Sequence, residues 1–244
     1  FGRPWHVDER VVDAGAIAQP TPSLAADDYV FVVISDPHFT ADPYPLPSAQ
    51  FAAFLASESA DFVIVGGDVA DAGLPEEYAR YTDWIATLGV PVITAVGNHA
   101  LYNGGWSTFR TEIGKSFFSF TIGTVTPRTF YVLDTASGTV GRDQLDLLRE
   151  AFAADPDPKV VVTHYPLYND GDSPYFRLTN TAERAALVDL YATGGVELAI
   201  EGHTHALHHV TIGPFEEWVC PGPAGPAGEG RCLVVTVVGG AIAS

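Results

Sequence analysis

The sequence lacks a run of apolar residues long enough to cross a lipid bilayer, and it is poor in positive charge. Its 244 residues include 30 acidic and only 12 basic ones, and the net charge is −18. A surface this acidic repels the phosphate backbone of nucleic acids, so a nucleic-acid polymer is not expected as a partner. It also repels small phosphorylated compounds, unless the site that binds them carries strong positive charge. No membrane span is expected, and the oligomeric state is left open.

Methionine is absent, and there are only two cysteines. A chain that begins at Phe1 without methionine has lost its initiator or is a processed product, and no signal peptide is visible, as in a mature exported protein. Cys220 and Cys232 flank the stretch PGPAGPAGEGR and lack the C-x-x-C spacing of metal sites. We expect a disulfide that closes this loop, with two free buried thiols as the alternative. An extracytoplasmic or secreted location is therefore favoured.

Regular structure is expected from residue 29 onwards, after an irregular N-terminal segment over residues 1–28. Strand and helix patterns alternate without a convincing linker, so residues 29–244 are interpreted as one α/β domain with helices on both sides of its sheets. The predicted strands cover 29–36, 61–68, 90–98, 117–123, 128–134, 159–168 and 196–205, with short segments near 208–212, 216–219 and 232–238. The predicted helices cover 47–59, 75–88, 141–155 and 181–193, and residues 100–116 are predicted to form a loop.

Five of the apolar strands end in residue types that hold metal ions. Asp36 and His38, for example, leave the first strand on the same side because side chains alternate along an extended chain. The five motifs are DPH (Asp36, His38), GGDVAD (Asp68, Asp71), GNHA (Asn98, His99), THYP (His164) and GHTH (His203, His205). Ligands of open α/β sheets bind beyond the carboxyl ends of the strands, so these side chains are expected to meet. His6, His208 and His209 fall outside the pattern and are interpreted as surface or packing residues.

The ordered motifs, which span residues 36–205, resemble the calcineurin-like metallophosphoesterase superfamily, and most of all its compact, cyclic-nucleotide-phosphodiesterase-like branch. The resemblance implies a four-layer α-β-β-α sandwich, with two mixed β-sheets flanked by helices. It also implies two divalent metal ions, of which Mn, Fe, Zn or Ni suit carboxylate and imidazole ligands. One ion would be held by Asp36, His38 and His205, the other by Asn98, His164 and His203, and Asp68 would bridge them. These charges would attract a small phosphorylated substrate to an acidic protein.

The resemblance further implies that a hydroxide bound to the metal ions attacks phosphorus. His99 would then donate a proton to the leaving oxygen, and Asp71 would orient His99, although Asp also commonly stabilises turns. Two positions depart from relatives of this superfamily. Many members carry an acid after GNH, where this chain has Ala100, and purple acid phosphatases carry a tyrosine ligand at the position of Asp71. A tyrosinate–iron chromophore is therefore not expected.

The sequence thus predicts a dinuclear metal-dependent phosphoesterase, with phosphodiesters favoured over phosphomonoesters. The alternative is a non-catalytic metal-binding or structural module that keeps the same fold. Loop residues that follow the motifs are candidates for substrate contacts, with packing as the alternative for the aromatic ones. They are Tyr102, Asn103, Trp106, Arg110, Tyr165, Tyr168 and Arg177.

Overall fold

Two mixed β-sheets lie face to face at the centre of the protein. The computed structural model describes residues 6–168, 176–223 and 230–243. The strands are β1 (Tyr29–Ile34), β2 (Phe62–Val65), β3 (Val92–Thr94), β4 (Phe118–Ile122), β5 (Arg128–Val132), β6 (Lys159–Val162), β7 (Val196–Glu201), β8 (His208–Ile212), β9 (Phe215–Val219), β10 (Leu233–Val238) and β11 (Ala241–Ala243). The first sheet has the strand order β11-β10-β1-β2-β3, and the second has the order β4-β5-β6-β7-β9-β8.

Both sheets combine parallel and antiparallel strands. In the first sheet β1, β2 and β3 run parallel, and β10 pairs antiparallel with β1. In the second sheet β5, β6, β7 and β9 run parallel, with antiparallel β4 and β8 at the two edges. The carboxyl ends of the parallel strands within each sheet therefore lie at the same edge of that sheet.

Helices cover the outer face of each sheet. They are α1 (Val7–Val11), α2 (Ser48–Ser57), α3 (Pro75–Ile85), α4 (Trp106–Glu112), α5 (Arg142–Ala154) and α6 (Thr181–Thr193), with a 3₁₀ helix at Asn98–Gly104. Side chains of α2, α3 and α4 share one core cluster with the first sheet, and those of α5 and α6 share another with the second. Within the described residues, no helix is both long and apolar enough to cross a membrane.

Side chains alternate between the two faces of the central strands, and this alternation separates the core between the sheets from the cores under the helices. Phe31 and Val33 of β1 belong to the core between the two sheets, whereas Val32 and Ile34 belong to the core under the helices. Because both faces are buried, the strand reads as a continuous apolar run. The predicted four-layer α-β-β-α sandwich is confirmed.

The N-terminal segment is more ordered than the sequence predicted. Residues 7–11 form α1, whose first turn is capped by the side chain of His6. Arg10 of this helix donates two hydrogen bonds of 2.8 and 2.7 Å to the carboxylate of Asp134, and neither side chain is exposed. The prediction of an irregular segment is therefore wrong for residues 7–11, because a buried ion pair fastens the helix to the end of β5.

Two further predictions need correction. The stretch 100–116 is not a plain loop, since it contains most of the 3₁₀ helix and all of α4, whose residues Trp106 and Phe109 fill the core under the first sheet. The disulfide predicted between Cys220 and Cys232 is not formed, and both are free thiols. Cys220 lies in the core between the sheets, whereas Cys232 packs against the core under the helices.

Two buried carboxyl groups lie side by side at β7 and β9. Glu201 and Glu217 are both fully buried, and they accept hydrogen bonds from the backbone N–H groups of Leu167 and Tyr168 at 3.3 and 3.0 Å. Burial raises the pKa of Glu217 to about 7 and, with the neighbouring charge of Glu217, raises the pKa of Glu201 well above its ordinary value. The pair therefore favours a protonated state in the folded protein.

This pair predicts a pH dependence of stability. The stability that the proton on Glu217 adds is fully present below pH 4.5 and is lost as the pH rises through about 7. We expect the free energy of unfolding to fall by about 1–3 kcal/mol across this window. In the Glu217→Gln variant the fall should be smaller, because the amide stays neutral and still accepts the N–H of Tyr168. Urea unfolding at a series of pH values measures both slopes, with Glu150→Gln on exposed α5 as the matched control. Equal slopes in wild type and Glu217→Gln would contradict the assignment.

Candidate metal centre

The strands that carry the predicted ligands end in sharply turned backbone. Among the described residues, seven that are not glycine have positive φ, and five of these are predicted metal ligands. They are Asp36, His38, Asp68, His203 and His205. This conformation costs about 1–2 kcal/mol for an L-residue, although Asp and His tolerate it better than most. The positive φ angles end β1, β2 and β7 at Ile34, Val65 and Glu201, so that the strands do not continue through the motifs. Strain of this kind is retained mainly at functional sites.

The first group of ligand atoms comes from the ends of β1 and β7. His38 Nε2 lies 3.0 Å from His205 Nε2, and Asp36 Oδ1 lies 3.9 and 3.4 Å from the same two nitrogens. The Asp36 carboxylate is held in place by the backbone N–H of His203, at 2.9 and 3.1 Å. Burial lowers the pKa of His38, which favours the neutral imidazole that binds a metal. Three ligand atoms thus converge on one point.

The second group comes from the ends of β2, β3, β6 and β7. His164 Nε2 lies 3.1 Å from Asp68 Oδ2 and 3.1 Å from Asn98 Oδ1, and the ring of His203 lies 5.1 Å from that of His164. His164 Nδ1 lies 2.8 Å from the carbonyl oxygen of Gly66. Because a carbonyl only accepts, Nδ1 carries the proton and the lone pair of the neutral ring points towards Asp68 and Asn98.

Charge at this second group favours a cation. Burial alone would lower the pKa of His164, but the charge of Asp68 outweighs burial and raises that pKa to about 9. Burial alone would likewise raise the pKa of Asp68, but the charges of His164 and His99 outweigh it and lower that pKa. The site therefore attracts a positive charge, and a divalent ion is the stronger occupant when its ligands lose their protons.

His99 and Asp71 lie beside the first group. The backbone N–H of His99 donates to Asp68 Oδ1 at 2.9 Å, and His99 Nε2 lies 3.8 Å from Asp68 Oδ2. The Asp71 carbonyl oxygen contacts His99 Nδ1, whereas the Asp71 carboxylate lies 3.4 Å from His38 Nδ1. The contact expected between Asp71 and His99 is thus made by the backbone, and the catalytic roles of both residues stay predictions.

Two motif glycines allow the ligands to approach this closely. A Cβ atom at Gly97 would lie 2.1 Å from Asp68 Oδ1, and one at Gly67, whose φ is +116°, would lie 2.4 Å from His164 Nδ1. Both distances are far below van der Waals contact, so a larger residue would displace a ligand. The glycines of GGD and GN are therefore as necessary as the ligands that follow them.

The donor set fits divalent ions. Carboxylate oxygens, an amide oxygen and imidazole nitrogens are the ligands that borderline cations accept. The His and Asp donors fall into three overlapping groups, and the ligand atoms of each lie within 4.8 Å of one another. The groups are Asp36, His38 and His205; His38, Asp68 and His99; and Asp68, His164 and His203. The position of Asp68, between the other donors, is the one a bridging ligand needs.

Aromatic rings border the site on two sides. Tyr102 lies 4.6 Å from His99 between ring centroids, and Tyr165 lies 4.0 Å from His203. Phe176, which the sequence analysis missed, lies 5.9 Å from His203. No pattern in the sequence identifies Phe176, because it is a single apolar residue in the long stretch after THYP. The rings of Tyr102 and Phe176 are nearly half exposed.

The other loop candidates lie elsewhere. Trp106 is buried in the core, as the packing alternative predicted, and Arg110 is ion-paired at 2.8 Å to an aspartate of the N-terminal segment. Asn103 donates a hydrogen bond to a backbone carbonyl at 2.9 Å. Tyr168 lies beside a histidine outside the metal-binding pattern. Burial and the neighbouring charge of Arg177 lower the pKa of Arg184. The contacts shown for Trp106, Arg110, Asn103 and Tyr168 are thus with residues other than the predicted ligands.

The motifs and their geometry agree with a known family. Residues 29–207 match the family described as calcineurin-like phosphoesterase. The chain belongs to this family. The resemblance that the five motifs predicted is confirmed, and the roles of their residues as metal ligands stay predictions.

Relatives of this calcineurin-like phosphoesterase include enzymes named for phosphate-ester chemistry. A probable cyclic nucleotide phosphodiesterase of Synechococcus sp. is 29% identical over 147 residues, which are 54% of this chain and 56% of the relative. The chain thus spans about half the length of that relative. Among solved structures, a dimetal phosphatase from Danio rerio has a TM-score of 0.69 at 12% identity, over 86% of this chain and 93% of that one. A purple acid phosphatase from yellow lupin seeds has a TM-score of 0.63 at 15% identity, over 90% of this chain and 51% of that one. These two likenesses show the fold.

Proposed function

We propose that this calcineurin-like phosphoesterase hydrolyses phosphodiester bonds of small molecules, with cyclic nucleotides as the favoured class and two divalent metal ions as cofactors. The observation that carries the proposal is the convergence of the predicted ligands. Asp36, His38 and His205 form one group, and Asp68, His164 and His203 form another. Asp68 also lies within reach of His38 and His99, so it stands between the two groups. The name of the Synechococcus relative supports the phosphodiester class.

The residues divide the work as follows. Asp36, His38 and His205 would hold one ion, and Asn98, His164 and His203 the other, with Asp68 between them. When bound, two such ions neutralise phosphoryl oxygens and lower the pKa of a water molecule that attacks phosphorus. The imidazole of His164 is already oriented, because its Nδ1–H donates a hydrogen bond to the carbonyl oxygen of Gly66.

His99 supplies the proton for the leaving oxygen in this proposal. The Asp71 carbonyl oxygen can only accept, so His99 Nδ1 carries a proton and Nε2 faces the site, 3.8 Å from Asp68 Oδ2. A second proton, on Nε2, makes the ring an acid that is directed at the reacting atoms.

The rim of the site favours a diester. A phosphodiester carries a second ester substituent, which must lie outside the metal ions. The ring of Tyr102 lies beside His99 and that of Phe176 lies beside His203, and much of the surface of both residues is exposed. Such rings accept flat or apolar substituents, including a nucleobase, by stacking.

The test is an assay of the chelated protein before and after repletion with Mn²⁺ or Zn²⁺. The substrates are bis-(4-nitrophenyl) phosphate, 4-nitrophenyl phosphate and a cyclic nucleotide. We expect turnover only with metal, and faster turnover of diester than of monoester. Faster monoester hydrolysis would overturn the diester assignment. Two bound ions without turnover of any ester would indicate the non-catalytic module instead.

Replacing His99 by alanine should lower kcat for the cyclic nucleotide by about 10²–10⁴-fold. The loss should be smaller with bis-(4-nitrophenyl) phosphate, because nitrophenolate leaves without a proton. Both ions should stay bound, as measured by metal analysis after gel filtration. His209→Ala, at an exposed histidine outside the site, is the matched control and should retain full activity. Loss of an ion from His99→Ala would instead make His99 a metal ligand.

A further inference from the structure

We propose that Tyr102 is a positioning residue of the metal centre, which fixes the metal ligand Asn98 through its hydroxyl and the ring of His99 through its own ring. The inference rests on the proposed function, because it assigns Asn98 and His99 their roles there. It adds a residue that lies outside the five motifs.

The hydroxyl of Tyr102 completes the contacts of Asn98. Asn98 Nδ2 donates to the Tyr102 hydroxyl at 3.2 Å, while Asn98 Oδ1 lies 3.1 Å from His164 Nε2. The hydrogen bond to Tyr102 fixes the orientation of the amide, so its oxygen, beside the lone pair of His164 Nε2, is the atom that is able to coordinate a cation. Ala100, the residue after the GNH triplet, is buried and has no polar side-chain atom, so the hydrogen bond from this turn comes from Tyr102.

The ring of Tyr102 restricts His99. The two ring centroids lie 4.6 Å apart at an interplanar angle of 44°. The ring of His99 also lies 4.5 Å from the ring of His38. The ring of His99 therefore contacts two other rings, while its Nδ1 contacts the Asp71 carbonyl oxygen.

The backbone explains how Tyr102 reaches both partners. Tyr102 has an extended conformation (φ −73°, ψ 146°) within the 3₁₀ helix, and Asn103 follows with φ 49°, which kinks the chain. The kink is fastened to the loop after Asp71, since Asn103 Nδ2 donates to the Ala72 carbonyl oxygen at 2.9 Å. A Cβ at Gly73 would lie only 2.5 Å from the Tyr102 carbonyl oxygen, so the two loops are in close contact.

Packing does not account for Tyr102. Its residue surface is 46% exposed, whereas tyrosines of the core such as Tyr78 and Tyr81 are fully buried. An exposed ring that contacts a metal ligand and a proposed acid is better explained by the arrangement of those two groups.

The experiment compares Tyr102→Phe and Tyr102→Leu with wild type. Tyr102→Phe keeps the ring and removes the hydroxyl, so we expect Mn²⁺ to bind the second site about 10–100-fold more weakly in calorimetric titrations of the chelated protein. KM for the diester should change little, and kcat should recover in excess Mn²⁺. Tyr102→Leu also releases His99, so its kcat should stay low even at saturating Mn²⁺. Tyr131→Phe, which removes a hydroxyl that bonds Asp155 on the outer face of the second sheet, is the matched control.

Three outcomes bear on the proposal. Wild-type Mn²⁺ affinity in Tyr102→Phe would overturn the role of the hydroxyl. A rise of KM alone in Tyr102→Leu, with kcat and Mn²⁺ binding unchanged, would make Tyr102 a substrate contact and not a positioning residue. The titrations need no turnover, so a wild-type protein that binds two ions and hydrolyses nothing would end the proposed function while still deciding the contact with Asn98.

Discussion

Replacing Asp68 by asparagine should remove most of the turnover together with at least one of the two metal ions. Asp68 is almost fully buried, and its carboxylate lies within reach of His38 on one side of the centre and of His164 and His203 on the other. Loss of an outer partner of a metal ligand already costs roughly 10–100-fold in affinity or activity, and a shared carboxylate should exceed that. The affinity for Mn²⁺, measured by calorimetry, and the diesterase rate should therefore fall together.

The same variant has a second signature in the metal-free protein. Asp68 is what raises the pKa of buried His164 to about 9, so the asparagine variant should show a lower pKa for this ring in an NMR titration. Asp83→Asn, on the exposed face of α3, makes the same chemical change away from the site and should leave both measurements unchanged. An Asp68→Asn protein that still binds two ions tightly would contradict the bridging role.

Replacing Arg10 by alanine should destabilise the protein by about 3–5 kcal/mol, because Asp134 is then left as an unpaired buried charge. That is a large part of the roughly 5–15 kcal/mol that stabilises a typical domain. The variant also loses the contact between the guanidinium and the ring of Trp106, at 6.0 Å. Urea unfolding of the full chain measures the loss.

The control for this prediction removes both charges. In the double variant Arg10→Met, Asp134→Leu no charge is left unpaired, so much of the loss should be recovered, although the Asp134 contact to the N–H of Ala136 is also removed. A single Arg10→Ala variant as stable as wild type would show that the N-terminal helix is dispensable. Losing this ion pair is also expected to disturb the metal site. Thr135, which follows Asp134, accepts a hydrogen bond from the backbone N–H of His164 at 3.1 Å.

The four layers of the sandwich were predictable because strands that are buried on both faces have continuously apolar sequences. Continuous apolar strands such as Tyr29–Ile34 indicate sheets covered on both sides, and amphipathic segments indicate the covering helices. The partner of Arg10 was not predictable, because Asp134 is 124 residues away and no local pattern links them. The free state of Cys220 and Cys232 was not predictable either, because the spacing of two cysteines does not fix the geometry that a disulfide needs.

The members of the site were predictable for a different reason. Parallel strands of one sheet present their carboxyl ends at the same edge, so the motifs after β1, β2 and β3 were expected to meet, as were those after β6 and β7. The individual contacts were not predictable, since they depend on left-handed turns at residues such as Asp36 and Asp68. The Asp71 contact to His99 through a carbonyl oxygen, and the hydroxyl of Tyr102 on Asn98, likewise follow from backbone geometry and not from residue type.

An anomalous difference map from crystals grown with Mn²⁺ tests the central claim most directly. We expect two peaks about 3.5–4 Å apart, with Asp68 between them. One peak should lie within coordination distance of Asp36, His38 and His205, and the other within that of Asn98, His164 and His203. A single peak, or two peaks that do not share Asp68, would contradict a dinuclear centre built by these five motifs.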